Sequence, residues 1–306
     1  MKTKMTAVFA LLLSLVLLGS AMLLSACGDN DKPEAPKDTQ NSDATGKEKP
    51  DVVTVTAKVT LNGSTVSVDG EGASFENGRL SITKEGVYEM SGTLEDGQIY
   101  INVQKTEKVE LYFKGVNITC STSSAIYCDS ADKLVIRLEE GTQNSLTDGA
   151  KYQYETADPE DPTDDLKPNA CVYSDDDISI KGTGALTVVG NYKNGISSKN
   201  DIKFADATVT VNAVNTGVRG KDSVTVESGN ITVTAGKDGL KSSTFEQGKG
   251  YLLISGGTVN ITVEDDALQA ENDISITGGS VTVQSGGKNI NCPGTQTIAD
   301  GCLIER

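Results

Sequence analysis

The chain has 306 residues, with 27 Lys and Arg against 43 Asp and Glu, and a formal net charge of −16. It contains no His and no Trp, which excludes Ser-His-Asp and Cys-His catalytic systems and every His-ligated metal site. The acidic balance disfavours nucleic acid as a partner, because phosphates are repelled, and it favours hard cations such as Ca²⁺, which prefer oxygen ligands.

Residues 1–27 have the pattern of an export signal. Two lysines precede an apolar run that ends near Leu24, as in signal peptides. The run closes with Leu24-Ser25-Ala26-Cys27-Gly28, which resembles a bacterial lipobox. The resemblance implies cleavage before Cys27 and a diacylglycerol group on its thiol. A plain transmembrane anchor with an incidental cysteine is the alternative.

Residues 28–50 are rich in Asp, Lys, Pro, Ser and Thr and show no apolar periodicity. Such a segment cannot bury enough apolar surface to offset its ordering entropy, so the sequence predicts a flexible tether. The folded domain is then expected over residues 51–306. We expect an extracellular, monomeric protein that meets the membrane only through the lipid on Cys27.

Five cysteines follow the signal, and an odd number cannot all pair within one chain. They are Cys120, Cys128, Cys171, Cys292 and Cys302. Two interpretations stay open. A disulfide between Cys292 and Cys302 would close the C-terminal end, or the cysteines behave as small buried hydrophobic residues.

A short phrase, small–aliphatic–variable–small, recurs along the chain. Its aliphatic residues are Ile126, Val172, Ile196, Val218, Leu240, Leu268 and Ile290. From Val172 onward the spacings are 24, 22, 22, 28 and 22 residues, and the step of 28 contains a local insertion. Regular spacing of this kind indicates a solenoid in which each repeat stacks on the next.

Two more segments with alternating apolar and polar residues follow each phrase, for example 202–204 and 209–211. Alternation with period two predicts strands with one buried face. We therefore predict an all-β fold, a right-handed single-stranded parallel β-helix of about 22 residues per coil, with the handedness taken from crossover chirality. Residues 52–120 are expected to form the first coils and an N-terminal cap. A β-sandwich is the rival architecture.

The residue after each aliphatic position should point outward, since side chains alternate along a strand. Stacking then predicts an external row: Tyr127, Tyr173, Ser197, Arg219, Lys241, Gln269 and Asn291. Tyrosine rings can stack on sugar rings, and Arg and Lys can hold sugar carboxylates. The row is thus a candidate track for an acidic glycan, with Tyr127, Tyr173, Arg219, Lys241 and Gln269 as candidate contacts. An ordinary solvated face is the alternative.

The turn before each phrase gives a second column: Asn194, Thr216, Asp238 and Asp266, with Asp265 beside it. Asp238 and Asp266 should stand one coil apart, close enough to share a hard cation that relieves their repulsion. Asp222 lies in a turn just after a phrase and is a further candidate ligand. Routine turn chemistry is the alternative, because Asp and Asn often cap tight turns.

An acidic insertion interrupts the repeats between Asp148 and Asn169. It carries seven carboxylates together with Tyr152 and Tyr154. The insertion can be a lid over the candidate track, a second cation site or a solvated loop, and the sequence leaves these alternatives open.

Several segments, found in order over residues 86–287, resemble a bacterial family of extracellular carbohydrate-binding parallel β-helix proteins known for a clostridial member. They are GVYEMSG (86–92), AIY (125–127), GVRGKDSV (217–224), KDGLKS (237–242), GYLLISGG (250–257) and DDALQAE (265–271). The resemblance implies binding of cellulose-like and pectic acid glycans with bound calcium, and a fold similar to calcium-dependent pectate lyases. It implies a calcium role for Asp238, Asp265 and Asp266.

Three functions compete at this point. The first is a surface lipoprotein that binds polysaccharide without cleaving it, with Ca²⁺ as the cofactor. The second is a calcium-dependent polysaccharide lyase, whose base in a chain without His would be Lys241 or Lys221. The third is a structural or adhesive cell-surface module with a protein partner.

Overall fold

The computed structural model describes residues 54–153 and 166–306. The regular elements of these residues are strands: β1 (Ala57–Gly63), β2 (Thr65–Gly70), β3 (Ala73–Glu76), β4 (Arg79–Ile82), β5 (Gly86–Leu94), β6 (Gln98–Asn102), β7 (Lys108–Thr119), β8 (Ile126–Ser130), β9 (Lys133–Leu138), β10 (Gln143–Thr147), β11 (Ala170–Ser174), β12 (Asp177–Lys181), β13 (Ala185–Gly190), β14 (Asn194–Ser198), β15 (Asp201–Ala205), β16 (Thr208–Ala213), β17 (Val218–Gly220), β18 (Ser223–Val226), β19 (Asn230–Ala235), β20 (Leu240–Lys241), β21 (Tyr251–Ile254), β22 (Thr258–Val263), β23 (Leu268–Gln269), β24 (Asp273–Ile276), β25 (Ser280–Ser285), β26 (Ile290–Asn291), β27 (Thr295–Ile298) and β28 (Leu303–Glu305). Within these two ranges no helix has the length and apolar character needed to span a bilayer.

The strands form the three faces of a parallel solenoid. Face 1 is a sheet of ten strands: β3, β4, β6, β8, β11, β14, β17, β20, β23 and β26. In the repeating part, each face 1 strand is followed by a strand of face 2 and then one of face 3. Face 2 contains β9, β12, β15, β18, β21, β24 and β27, and face 3 contains β10, β13, β16, β19, β22, β25 and β28. The long strands β5 and β7 extend over faces 2 and 3, with a bulge in their pairing between Met90 and Gly92.

The observed register confirms the predicted repeat. On face 1, Val172 pairs in parallel with Ile126 and with Ile196, and Val218 pairs with Ile196 and with Leu240. The aliphatic residues of these phrases are at most 1% exposed and belong to one continuous core cluster. The parallel β-helix is therefore confirmed, and the column-by-column pairing excludes the β-sandwich.

Two antiparallel hairpins close the N-terminal end. Strand β1 pairs with β2 and strand β3 pairs with β4, while β1 and β4 also pair in parallel with the first coils. The second hairpin turns at Asn77 and Gly78, whose φ angles are 51° and 79°. Asn-Gly is the dipeptide that tolerates two positive φ angles at a tight hairpin turn. This turn fixes the start of β4 at Arg79.

The five cysteines of the described residues are free. The Cys292–Cys302 disulfide that one interpretation expected is not formed. Cys292 is buried, and its Sγ lies 3.5 Å from the carbonyl oxygen of Asn272. Cys120, Cys128 and Cys171 are buried as small core residues. The predicted signal 1–27, with Cys27, and the predicted tether 28–50 lie outside the described residues, as does the middle of the acidic insertion.

A buried carboxylate on the outer side of β7 holds three cations. Glu110 has a side chain that is 7% exposed, and its oxygens lie 2.5 Å from Arg137, 3.7 Å from Lys181 and 3.8 Å from Lys108. Burial opposes ionisation of Glu110, but the hydrogen bond from Arg137 and the charges of the three cations outweigh it, so the pKa of Glu110 is lowered.

Replacing Glu110 with Ala should cost about 2 kcal/mol of unfolding free energy, because three cations, whose side chains are 33%, 34% and 50% exposed, lose a buried counter-ion. The matched change Glu227→Ala breaks the exposed pair between Glu227 and Lys203, whose side chains are 44% and 46% exposed respectively, and should cost less than about 1 kcal/mol. Urea denaturation measures both. Since the folded pKa of Glu110 is lowered, its contribution is present at neutral pH and is lost as the pH falls through that lowered pKa. Equal losses for the two variants would contradict this assignment.

Candidate functional site

Three aspartates meet at the turn that leads from face 3 into face 1. One carboxylate oxygen from each of Asp238, Asp265 and Asp266 lies within 4.8 Å of the others. Asp238 and Asp266 are 3% and 9% exposed, whereas Asp265 is exposed. We call these residues the acidic cluster. It forms because Asp238 precedes β20 and Asp266 precedes β23, and these two strands pair in register.

Neighbouring groups hold the two buried carboxylates in place. Asp266 accepts hydrogen bonds from the backbone N–H of Lys288 at 2.8 Å and from Nδ2 of Asn291 at 2.6 Å. Asp238 accepts from Nζ of Lys241 at 2.8 Å and from the hydroxyl of Thr216 at 3.3 Å. Two of the three carboxylates are thus preorganised by the fold.

The acidic cluster fits a hard divalent cation. The three carboxylates carry more charge than the ammonium group of Lys241, which pairs with Asp238 at 2.8 Å, can balance. Gly287 leaves space beside the oxygens: an added Cβ would lie 2.8 Å from Oδ1 of Asp266 and 2.9 Å from Oδ1 of Asp265. Oxygen ligands and flexible geometry suit Ca²⁺. The cluster can therefore hold a metal ion, and it consists of the three aspartates for which the resemblance implies a calcium role.

Asp222, the fourth candidate ligand, is placed elsewhere. It lies in the turn after face 1, where its Oδ2 is 3.0 Å from Nζ of Lys249. Its backbone oxygen accepts the N–H of Gly250 at 2.7 Å. Among the described residues, the structure does not group Asp222 with the acidic cluster, because the two turns stand at opposite edges of face 1.

The predicted external row is present in register along face 1. Tyr127 pairs with Tyr173, and the pairing continues strand by strand to Ser197, Arg219, Lys241, Gln269 and Asn291. The row also starts one coil earlier than predicted, because Tyr100 pairs with Tyr127. The centroids of adjacent tyrosine rings are 5.4 and 5.6 Å apart in edge-to-face contacts. The alternating segment Ile99-Tyr100-Ile101 is the sequence signal that could have placed Tyr100 in the row.

The tyrosine hydroxyls donate hydrogen bonds to aspartates that follow Tyr127 and Tyr173 along the chain. Hydroxyls of Tyr100 and Tyr127 donate to Asp129, both at 2.8 Å, and that of Tyr173 donates to Asp175 at 2.7 Å. Lys167 forms ion pairs with both aspartates. Burial raises the pKa of Tyr127, and its hydrogen bond to Asp129 raises it further.

Tyr173 is 1% exposed. It lies at the predicted place in the row but offers no open ring face to a sugar, which corrects the expectation of a stacking platform there. Tyr127 is half-buried and retains part of its surface. The sequence could not distinguish the exposure of Tyr127 from that of Tyr173, because strand alternation predicts which way a side chain points but not which residues cover it.

The remaining candidates of the row are half-exposed. Nε of Arg219 donates to the hydroxyl of Ser243 at 3.3 Å. Lys241 turns toward the acidic cluster through its pair with Asp238. Gln269 stands next to Lys241 in register. The cationic end of the row and the acidic cluster are consequently one continuous surface.

Comparison with known proteins agrees with this architecture. A family model described as "Carbohydrate-binding domain-containing protein" matches residues 76–301. A protein of Acetivibrio thermocellus with the same description is 46% identical over 251 residues, which cover 81% of this chain and 86% of that protein. A solved structure, described as the polysaccharide lyase-like protein from C. thermocellum in a gadolinium derivative, superposes with a TM-score of 0.77 at 44% identity. It covers 82% of this chain and 100% of its own. The chain belongs to the carbohydrate-binding domain family.

Proposed function

We propose that this protein binds polysaccharide without cleaving it, with Ca²⁺ held by Asp238, Asp265 and Asp266. The observation that carries the proposal is the acidic cluster, which lies beside the half-exposed polar residues of face 1 in a chain of the carbohydrate-binding domain family. A bound cation reverses the local field of an acidic protein. It would let the surface attract a sugar carboxylate that the bare cluster repels.

The ligand chemistry favours calcium over softer metals. The chain has no His, and the three candidate ligands are carboxylates, the donors that Ca²⁺ prefers. The solved relative was described as a gadolinium derivative. Gd³⁺ is also a hard cation that prefers oxygen ligands.

Next to the acidic cluster, Lys241, Gln269 and Asn291 follow one another along face 1. They supply donors and acceptors for sugar hydroxyls, while the calcium ion and Arg219 would balance the charge of a sugar acid. An acidic, pectin-like polysaccharide is therefore the proposed ligand class. A cellulose-like chain would use the hydrogen-bonding groups alone.

Export and a lipid anchor complete the proposal. The segment Leu24-Ser25-Ala26-Cys27-Gly28 and the polar stretch 28–50 support lipid attachment at Cys27 and a spacer before the folded domain. The protein would act as a monomer outside the cell, at the membrane surface. Radiolabelled palmitate should be incorporated by the wild-type chain and not by a Cys27→Ala variant.

Calorimetric titration with polygalacturonate tests the binding function. We expect binding with calcium present and a loss of at least tenfold in affinity with EDTA, because the cation links protein and ligand carboxylates. Fully methyl-esterified polygalacturonate, which keeps the chain but removes the charge, is the control ligand and should bind equally with and without calcium. The absence of binding to all glycans in both conditions would contradict the proposal.

A lyase is the second candidate, favoured by the relative described as polysaccharide lyase-like. β-Elimination needs a neutral base near the sugar C5 proton. Nζ of Lys241, the first candidate base, lies 2.8 Å from Oδ2 of Asp238, so this group is already engaged with a carboxylate of the acidic cluster. The same titration mixtures should show no rise in near-ultraviolet absorbance from unsaturated sugars. A rise that depends on calcium would favour the lyase.

A further inference from the structure

A small cavity lies near the N-terminal end of face 1, away from the acidic cluster. Its volume is about 220 Å³, and Asn77, Arg79, Gln98, Ser123 and Tyr127 are among its lining residues. It is smaller than the roughly 300–1,000 Å³ of pockets for drug-sized ligands, so it suits one sugar unit. The cavity and the acidic cluster lie along the same edge of face 1, where the chain enters each strand from the preceding turn.

Arg79 is the cationic group of this cavity. The Asn77-Gly78 turn fixes it at the start of β4, where it pairs with Gln98. Its guanidinium carbon lies 4.6 Å from the ring centroid of Tyr100, a stacking that orients the plane of the group. Within residues 54–153 and 166–306 the structure records no ion pair for Arg79. Its N–H groups are available for a planar, bidentate anion.

The other walls supply the remaining features of a sugar subsite. Gln98 is 6% exposed, and its Nε2 donates to the carbonyl oxygen of Ser124 at 2.9 Å. No hydrogen bond to its Oε1 is found in the part of the chain that the structure describes. An unpaired buried oxygen on a cavity wall is a ready acceptor for a ligand hydroxyl. Tyr127 adds part of an aromatic ring, which suits the apolar face of a sugar.

One carboxylate also lines the cavity, that of Asp96. Both of its oxygens already accept hydrogen bonds from Ser121, one from the backbone N–H and one from the hydroxyl, each at 2.8 Å. These bonds hold the Asp96 carboxylate against Ser121, and Arg79 is the cationic group of this cavity that can donate to an incoming anion.

We propose that this cavity binds one acidic sugar residue, with the sugar carboxylate on Arg79 and the ring against Tyr127. This subsite deepens the proposed polysaccharide binding and rests on it, but it needs no cation. Strands β11, β14 and β17 separate the cavity, at β4, β6 and β8, from the acidic cluster at β20 and β23. At ~4.8 Å per coil the two sites are about 20 Å apart. One extended acidic chain can contact both.

Titration of the full chain with oligogalacturonate in EDTA and in calcium tests this subsite. We expect Arg79→Gln to weaken binding about tenfold in both conditions, because a charge-assisted bidentate contact is lost. Arg306→Gln makes the same chemical change at an exposed C-terminal residue and should leave affinity unchanged. Against the fully methyl-esterified oligomer, Arg79→Gln and wild type should bind alike, since that ligand offers no carboxylate.

Equal affinities of the Arg79→Gln and Arg306→Gln variants for the acidic oligomer would overturn the subsite while leaving the proposed function intact. An equal loss of affinity of Arg79→Gln for the methyl-esterified oligomer would also overturn the subsite, because the effect would then be structural. Arg79→Lys keeps the charge but not the planar fork, and it should fall between wild type and Arg79→Gln. If wild type binds no glycan in either condition, the proposed function itself fails, and the subsite fails with it.

Discussion

Calcium should raise the melting temperature of this protein, and Asp265→Asn should remove most of the increase. A ligand at one hundred times its Kd stabilises the folded state by about 2.7 kcal/mol, and a 100-fold loss of affinity reduces this to about 0.4 kcal/mol. Asp265 is the cluster member of choice, because its carboxylate is exposed and has no recorded hydrogen bond among the described residues. Its removal therefore changes the cation site with little effect on the fold.

Without calcium, Asp265→Asn should not destabilise the protein. Three carboxylates within 4.8 Å repel one another, so neutralising Asp265 should leave the melting temperature in EDTA unchanged or slightly higher. A thermal melt of each protein in EDTA and at increasing calcium gives both quantities. A variant that melts lower than wild type in EDTA would show that Asp265 has a structural role instead.

Asp222→Asn is the matched control, because it removes one carboxylate from a site that the structure places apart from the acidic cluster. It breaks the pair between Asp222, whose side chain is 15% exposed, and Lys249, whose side chain is 44% exposed, so a loss of about 1 kcal/mol is expected. Its calcium response should equal that of wild type. A calcium response abolished by Asp222→Asn and retained by Asp265→Asn would contradict the location of the site.

The fold could be predicted because the inward positions of the repeat accept few residue types. Inward positions such as Ile196, Val218 and Leu240 are aliphatic and fully buried, and a one-residue slip would turn them to solvent. Regular spacing therefore predicts which side chains stack, and the same logic brought Asp238 and Asp266 together one coil apart. Both belong to the turn before a phrase, so their neighbourhood follows from register alone.

What the sequence could not predict depends on contacts outside the repeat. Tyr173 is in the predicted row but is buried, and Lys167, from the end of the acidic insertion, pairs with Asp175 beside it. Insertions have no register, so their contacts leave no periodic signal. Asp222 follows a phrase, whereas Asp238 and Asp266 precede one. A face 1 strand lies between the two kinds of turn, so Asp222 is at the opposite edge of face 1.

The N-terminal cavity was missed for a related reason. Arg79 follows an antiparallel hairpin, and antiparallel pairing breaks the regular spacing on which the row was aligned. Gln98, the first residue of β6, pairs with Arg79, but its amide lacks the negative charge that pointed to the acidic cluster. The Asn77-Gly78 turn is the one local signal that could have located the hairpin.

Phe204→Ala should lower the free energy of unfolding by about 3–5 kcal/mol, more than the loss of any single ion pair described above. Phe204 is 0% exposed on face 2, and it pairs with Ile180 on one side and Val226 on the other. Its removal leaves a void in the middle of the stack. Because each coil contacts only its neighbours, the void weakens two coil interfaces at once.

Phe245→Ala makes the same chemical change at a side chain that is 75% exposed and should shift stability by no more than about 0.5 kcal/mol. Urea denaturation gives both values, and hydrogen exchange locates the loss. For Phe204→Ala, amides of β12 and β18 should lose more protection than those of β25, several coils away. Uniform loss along the whole solenoid would show that the stack unfolds as one unit, and comparable losses for both phenylalanines would contradict a core position for Phe204.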